Sequence, residues 1–164
     1  MAWMFPWNRK LFEEYRGFAM EKAKVVTNQP VQLVIRSEWV PTSKYGVVGG
    51  RCELTMAYWF GGRNARIENT YEIIIYQWFF DIFKKRPEII KKMICHELAH
   101  IPNFIDSDSH SENFQTYAAT IGATDGFNQA EINLLKGVNT RILRILIRLH
   151  LGCLVGVIWD VRTS

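Results

Sequence analysis

Apolar positions change their spacing several times along this chain, and each change marks an element. From Asn8 to about Lys24, Phe12, Tyr15, Phe18 and Ala19 recur at helical spacing, which predicts an amphipathic helix. Asn28-Gln29-Pro30 ends it. Residues 31–40 (VQLVIRSEWV) read as a strand, followed by a loop through Pro41 and Gly46. Gly49-Gly50 opens a second strand, RCELTMAYWF. Gly61-Gly62 then makes a turn, and Asn69-Thr70 leads into a third strand, YEIIIYQWFF. Strands joined by a Gly-containing loop predict a hairpin with a long connection, and hence a small, largely antiparallel sheet.

Helical spacing returns after Pro87, which suits a first helical turn because its missing N–H has no partner there. Ile90, Ile94 and Leu98 repeat every four residues and should face the core. Pro102 disfavours helical geometry at Ile101, so this helix should stop near there. Residues 103–108 form a polar loop. Ser109 and Glu112 have capping-box spacing, which predicts a helix from Ser109. That helix carries Phe114, Tyr117, Ala118 and Ile121 on one face, and Gly122 suits its end. Asn128 and Glu131 repeat the capping spacing for a further helix ending at Gly137, and a last helix runs from about Thr140 to Leu151. The whole reads as one α+β domain over 1–164: a core over about 8–125 and a helical extension over 126–164.

Composition narrows the class. The chain has 164 residues and is 48% hydrophobic, enough for a real core and against disorder. The net charge of +4 permits an anionic partner without demanding one. Cys52, Cys95 and Cys153 are far apart and odd in number, so no disulfide framework is expected and a reducing compartment is the simpler reading. Pro6, Asn8, Arg9 and Lys10 interrupt the apolar start, which argues against a secretory signal. A cytoplasmic protein is therefore expected. The apolar tail holds Arg144, Arg148 and His150, costly inside a membrane, so no transmembrane span is expected either.

The candidate chemistry lies in His96-Glu97-Leu98-Ala99-His100, an HExxH pattern. On a helix, residues four apart share a face about 6 Å apart along the axis, so both imidazoles can reach one zinc ion. Glu97 lies about 100° round from His96. It is then too far round to be a ligand but placed to act as general base on a zinc-activated water. A catalytic zinc needs a third protein ligand. His110 is the best candidate, since it follows a loop long enough to turn back and sits where the next helix begins. The positive end of that helix favours its neutral form. Glu112 is the alternative ligand, with capping as its competing role. Asp106 and Asp108 suit a loop or a supporting shell, His150 a core position, and Cys95 packing.

The run HELAH, a loop and then HSENFQTYAATIG resembles the SprT-like (Spartan-type) zinc metallopeptidases. In that family a short His-Gly-x-x-Phe motif after HExxH gives the third zinc histidine. His110, Phe114 and the later Gly122 match that layout, with Ser111 in place of the family's Gly. The resemblance implies a zincin-like core over about residues 8–125, zinc on His96, His100 and His110, Phe114 packed beneath the ligands, and hydrolysis of a protein or peptide substrate. Many members also carry a C-terminal zinc ribbon that helps bind DNA, and the cysteines here cannot build one. Beside zinc-dependent peptide hydrolysis stand three other readings. One is a gluzincin-like peptidase using Glu112. Another is a nucleic-acid-binding module that contacts DNA through Arg141, Arg144 and Arg148 with a non-catalytic zinc site. The third is a structural or toxin-like protein that keeps zinc without turnover. Tyr117 is a weak candidate for oxyanion stabilisation.

Overall fold

The computed structural model describes residues 6–36, 42–43, 46–47, 49–61, 64–104 and 110–123. The first helix, α1, spans Pro6–Val26, and strand β1 spans Val31–Arg36. A minimal hairpin of β2 (Thr42–Ser43) and β3 (Gly46–Val47) follows. Two long strands come next, β4 (Gly50–Gly61) and β5 (Asn64–Tyr76). Helices α2 (Gln77–Phe83), α3 (Pro87–Ala99) and α4 (Glu112–Ile121) complete the described chain, with a 3-10 turn at Ile101–Asn103. The α+β class expected from the sequence is present.

The sheet differs from expectation. Its order is β1-β5-β4, with β4 and β5 antiparallel but β1 and β5 parallel, so it is mixed rather than largely antiparallel. The last strand inserts between the first two, and its direction is fixed by the hairpin with β4. The hairpin is also tighter than expected. Pairing continues to Gly61 and Asn64, which leaves a two-residue connection. The run 64–70 read as a loop because polar residues dominate it and a glycine pair precedes it, yet its backbone pairs with β4 alone, in a ribbon where burial is not required.

The expected third strand ends early as well. Gln77-Trp78-Phe79-Phe80 is helical, the first turn of α2. Trp78 through Phe83 are all buried, so no polar face breaks the run. A short apolar run buried on every side carries no period to separate strand from helix. Helical spacing shows instead in the polar pair Gln77 and Asp81, whose side chains bond at 3.0 Å one turn apart.

The core forms where α1 and α3 pack together, α1 against β1 and α3 against β4 and β5. Tyr15, Ala19 and Ala23 of α1, four residues apart, are buried against Ile90, Ile94 and Leu98 of α3, Leu33 of β1 and Ile73 of β5. In α1 and α3 these are the helix faces that the sequence spacing predicts. The edge strand β4 approaches α3 closely enough to need glycine. A Cβ on Gly49 would stand 2.5 Å from Phe79 Cδ2 and 2.8 Å from Met93 Cε. On Gly50 it would stand 3.0 Å from both Glu97 Oε1 and Met93 Sδ. Among the described residues, no helix is long and apolar enough to cross a membrane.

Candidate metal centre

The site is built on the end of α3. His96 lies in its last turn and His100 is its C-cap, so the two imidazoles share a face, with ring centroids 5.0 Å apart. The chain is held beyond that point. The Asn103 N–H donates to the His100 carbonyl at 3.1 Å, and the Asn103 side-chain amide donates to the Ala99 carbonyl at 3.4 Å. These bonds satisfy carbonyls that a helix end would leave unpaired and fix the path by which the chain leaves. Pro102 sits inside this 3-10 turn, and α3 stops at Ala99 as its position predicts.

His110 returns to the same place. Its Nε2 lies 3.4 Å from the Nε2 of His96, and its ring centroid is 5.3 Å from that of His96 and 5.1 Å from that of His100. Local structure differs from the expected capping box. The N-cap of α4 is Ser111, whose hydroxyl accepts from the Phe114 N–H at 3.4 Å. His110 therefore precedes the helix instead of lying in its first turn, and Glu112 is the first helical residue. Gly122 ends α4 as expected, at φ 82°, with Gly122 N–H to Ala119 O at 3.1 Å and Ala123 N–H to Ala118 O at 2.7 Å.

His96, His100 and His110 each offer a ring nitrogen, and these atoms all lie within 4.8 Å of one another, so the cluster could hold a metal ion. Three imidazoles are a donor set of the kind zinc takes, and one separation suits it directly: two imidazole nitrogens on a tetrahedral ion with Zn–N of about 2.0–2.1 Å stand about 3.3–3.4 Å apart, as His96 and His110 do. Burial, with the neighbouring His100 and His110, lowers the His96 pKa to about 4, which keeps this ring neutral as a ligand must be. Glu112 is exposed and is not one of the three converging groups.

Glu97 takes a different direction from the histidines, toward β4. The Tyr76 N–H bonds to the Gly49 carbonyl at 3.0 Å, and the alternation of an antiparallel pair then turns the N–H groups of Gly50 and Cys52 away from β5. The Cys52 N–H meets the Glu97 carboxylate there, at the edge of the sheet. Burial raises the Glu97 pKa to about 8, against the lowering effect of the Cys52 N–H and Arg51. Gly50 leaves the space that carboxylate occupies. Sequence reasoning placed Gly49-Gly50 at the strand start but missed this cradle. The signal was the glycine pair itself, one strand away from a helix bearing a carboxylate.

Phe114 lies under the histidines, as the spacing from His110 suggests. Cys95 is buried, its thiol 3.6 Å from the Ile121 carbonyl, which is a packing role. Tyr117 is 38% exposed on α4. Asp106, Asp108, Ser109, His150 and the arginines Arg141, Arg144 and Arg148 lie outside the described residues. No family model, no curated protein and no solved structure matches this chain.

Proposed function

We propose that this chain is a zinc-dependent peptidase of the SprT-like kind, with zinc held by His96, His100 and His110 and Glu97 as general base. One observation carries the reading: three imidazoles from two separate segments converge within 4.8 Å on the helix that also bears the buried Glu97. When bound, zinc would supply Lewis acidity toward a peptide carbonyl and toward water. The protein's own part is positional. The end of α3, locked by Asn103, orients His96 and His100, and the Ser111 cap sets the entry of His110. Glu97, held at the Cys52 N–H, takes a proton from the attacking water at its carboxylate and returns it to the leaving amine. β4 is an edge strand beside Glu97, so an extended polypeptide could pair there as an added strand.

The test is Glu97→Gln, assayed for zinc content and for cleavage of unfolded protein substrates in the same sample. The amide keeps shape and hydrogen bonding but cannot accept the proton. Retained zinc with lost cleavage is expected. Unchanged turnover would remove Glu97 from the mechanism, and lost zinc would make it a ligand or a prop.

A further inference from the structure

Phe114 makes contact with every member of the histidine cluster. Its ring centroid lies 5.2 Å from that of His96, 4.6 Å from that of His100 and 4.8 Å from that of His110. The three imidazole centroids are themselves 5.0–5.3 Å apart. Four rings therefore stand at the corners of a nearly regular tetrahedron, with phenylalanine as the corner turned into the protein. Phe114 is 4% exposed, while His96 and His100 are half-buried and His110 is exposed. Its ring meets His96 and His110 nearly edge-on, at 68° and 74°, and lies tilted at 34° to His100. Two contacts are edge-on and one is tilted, so a single buried ring packs on all three imidazoles and restricts how each can turn.

We propose that Phe114 is a positioning residue that sets the coordination of the metal site. It closes the inner side of the histidine triangle with a group that cannot ligate and leaves approach open from the solvent side. The proposal rests on the metal-site reading above. Two physical reasons support it. Phenylalanine offers no donor or acceptor, so no fourth protein ligand and no water can enter from below. A metal site must also hold its ligands before the ion arrives; hydrogen-bonding partners that orient ligating histidines affect metal affinity by about 10- to 100-fold, and orientation by a packed ring acts on the same geometry. A single buried ring in contact with all three ligands is well placed to exert that effect. A structural zinc site closes with a fourth protein ligand, and a catalytic one keeps a position open. An apolar floor on one side belongs to the second kind.

The test compares Phe114→Leu with the parent protein. Leucine keeps an apolar, helix-compatible side chain and removes the ring. Zinc Kd is measured by chelator competition, and the visible absorption of the cobalt-loaded protein reports coordination geometry. Phe114→Leu should weaken zinc binding by about 10- to 100-fold and change the intensity and position of the cobalt bands. Ile121→Val, which loosens packing on the same helix, should leave both unchanged. If the leucine variant does not fold, Phe114→Ile, which also has no atom able to ligate, is read the same way. An unchanged Kd and cobalt spectrum in the folded variant would overturn the proposal. His96→Ala, measured alongside, separates this failure from failure of the site itself. Metal lost there but kept in Phe114→Leu rejects only the role of Phe114, whereas metal kept in both rejects the site.

Discussion

The glycine pair at the start of β4 should tolerate alanine unequally, and the order is set by what each new Cβ would meet. At Gly49 the methyl would stand 2.5 and 2.9 Å from two atoms of the Phe79 ring and 2.8 Å from Met93 Cε. Phe79 is 1% exposed, with Phe83 and Trp78 on its ring at 4.7 and 5.6 Å between centroids, so it has nowhere to move. Overpacking of a close-packed core costs about 1–3 kcal/mol, and this contact belongs at the upper end. Alanine recovers about 0.4–1 kcal/mol by restricting the unfolded chain. The net cost of Gly49→Ala is then about 2–2.6 kcal/mol. At Gly50 the nearest atoms are Glu97 Oε1 and Met93 Sδ at 3.0 Å and the Ile74 carbonyl at 3.1 Å. Two of these are side-chain ends that can give by a few tenths of an ångström. The overpacking cost is about 1–2 kcal/mol and the net about 0–1.6 kcal/mol. Urea denaturation of the metal-free proteins reads both values, with the slope checked for two-state behaviour. The reasoning fails if Gly49→Ala costs under about 1 kcal/mol, or if Gly50→Ala is the more damaging of the two.

Other outcomes follow from the same geometry. In the metal-free protein Glu97 holds its proton up to about pH 8, whereas the unfolded chain releases it near 4.5. The unfolded state binds fewer protons across that window, so stability present at low pH is lost as pH rises through 8, by an amount on the order of several kcal/mol. Glu97→Gln should flatten that loss, and an unchanged pH profile would contradict the buried, protonated carboxyl. His96 has the opposite slope. It stays neutral down to about pH 4 while the unfolded chain takes up a proton near 6.5, so its share of stability is lost as pH falls through that range. Zinc Kd should rise far more in His110→Ala than in Glu112→Ala, and the reverse order would restore the gluzincin-like ligand set. On the far side of the sheet, Arg36 of β1 pairs with Glu53 at 3.0 Å and with Glu72, two carboxylates that face each other across β4 and β5. Removing the arginine leaves like charges opposed, so Arg36→Ala should cost about 1 kcal/mol, partly regained by adding Glu53→Gln. Full additivity of the two substitutions would mean that the charges do not interact.

The helices were legible in the sequence wherever one side faced solvent. In α1 and α3, apolar residues recur every three to four positions on the inward side while charged residues such as Glu13, Arg16 and Lys91 stand exposed, so both helices and their inward faces could be read from spacing alone. Helix α2 was not legible, because a helix buried on all sides has no such alternation. The strand 64–76 was misjudged in extent because its first half answers only to one neighbour and need not be apolar. The parallel pairing of β1 and β5 could not be read at all, since it depends on which strand inserts between which. At the site, the two histidines four residues apart were legible from helix geometry. The return of His110 was expected, but its mechanism was not. Ser109 and Ser111 both precede a suitable capping position, and sequence spacing does not say which hydroxyl reaches the helix N–H groups. The cradle for Glu97 depends on the outward-facing Cys52 N–H, a backbone group set by strand register, which no side-chain motif records.

Metal content per folded chain, measured on protein purified without added metal, tests the central claim most directly. The account predicts about one zinc ion per chain in the parent protein, and loss of that ion in His96→Ala and in His100→Ala while both variants remain folded by circular dichroism. A parent protein that takes up no zinc even when it is supplied, or variants that keep the full complement, would contradict the metal centre and with it the proposed peptidase.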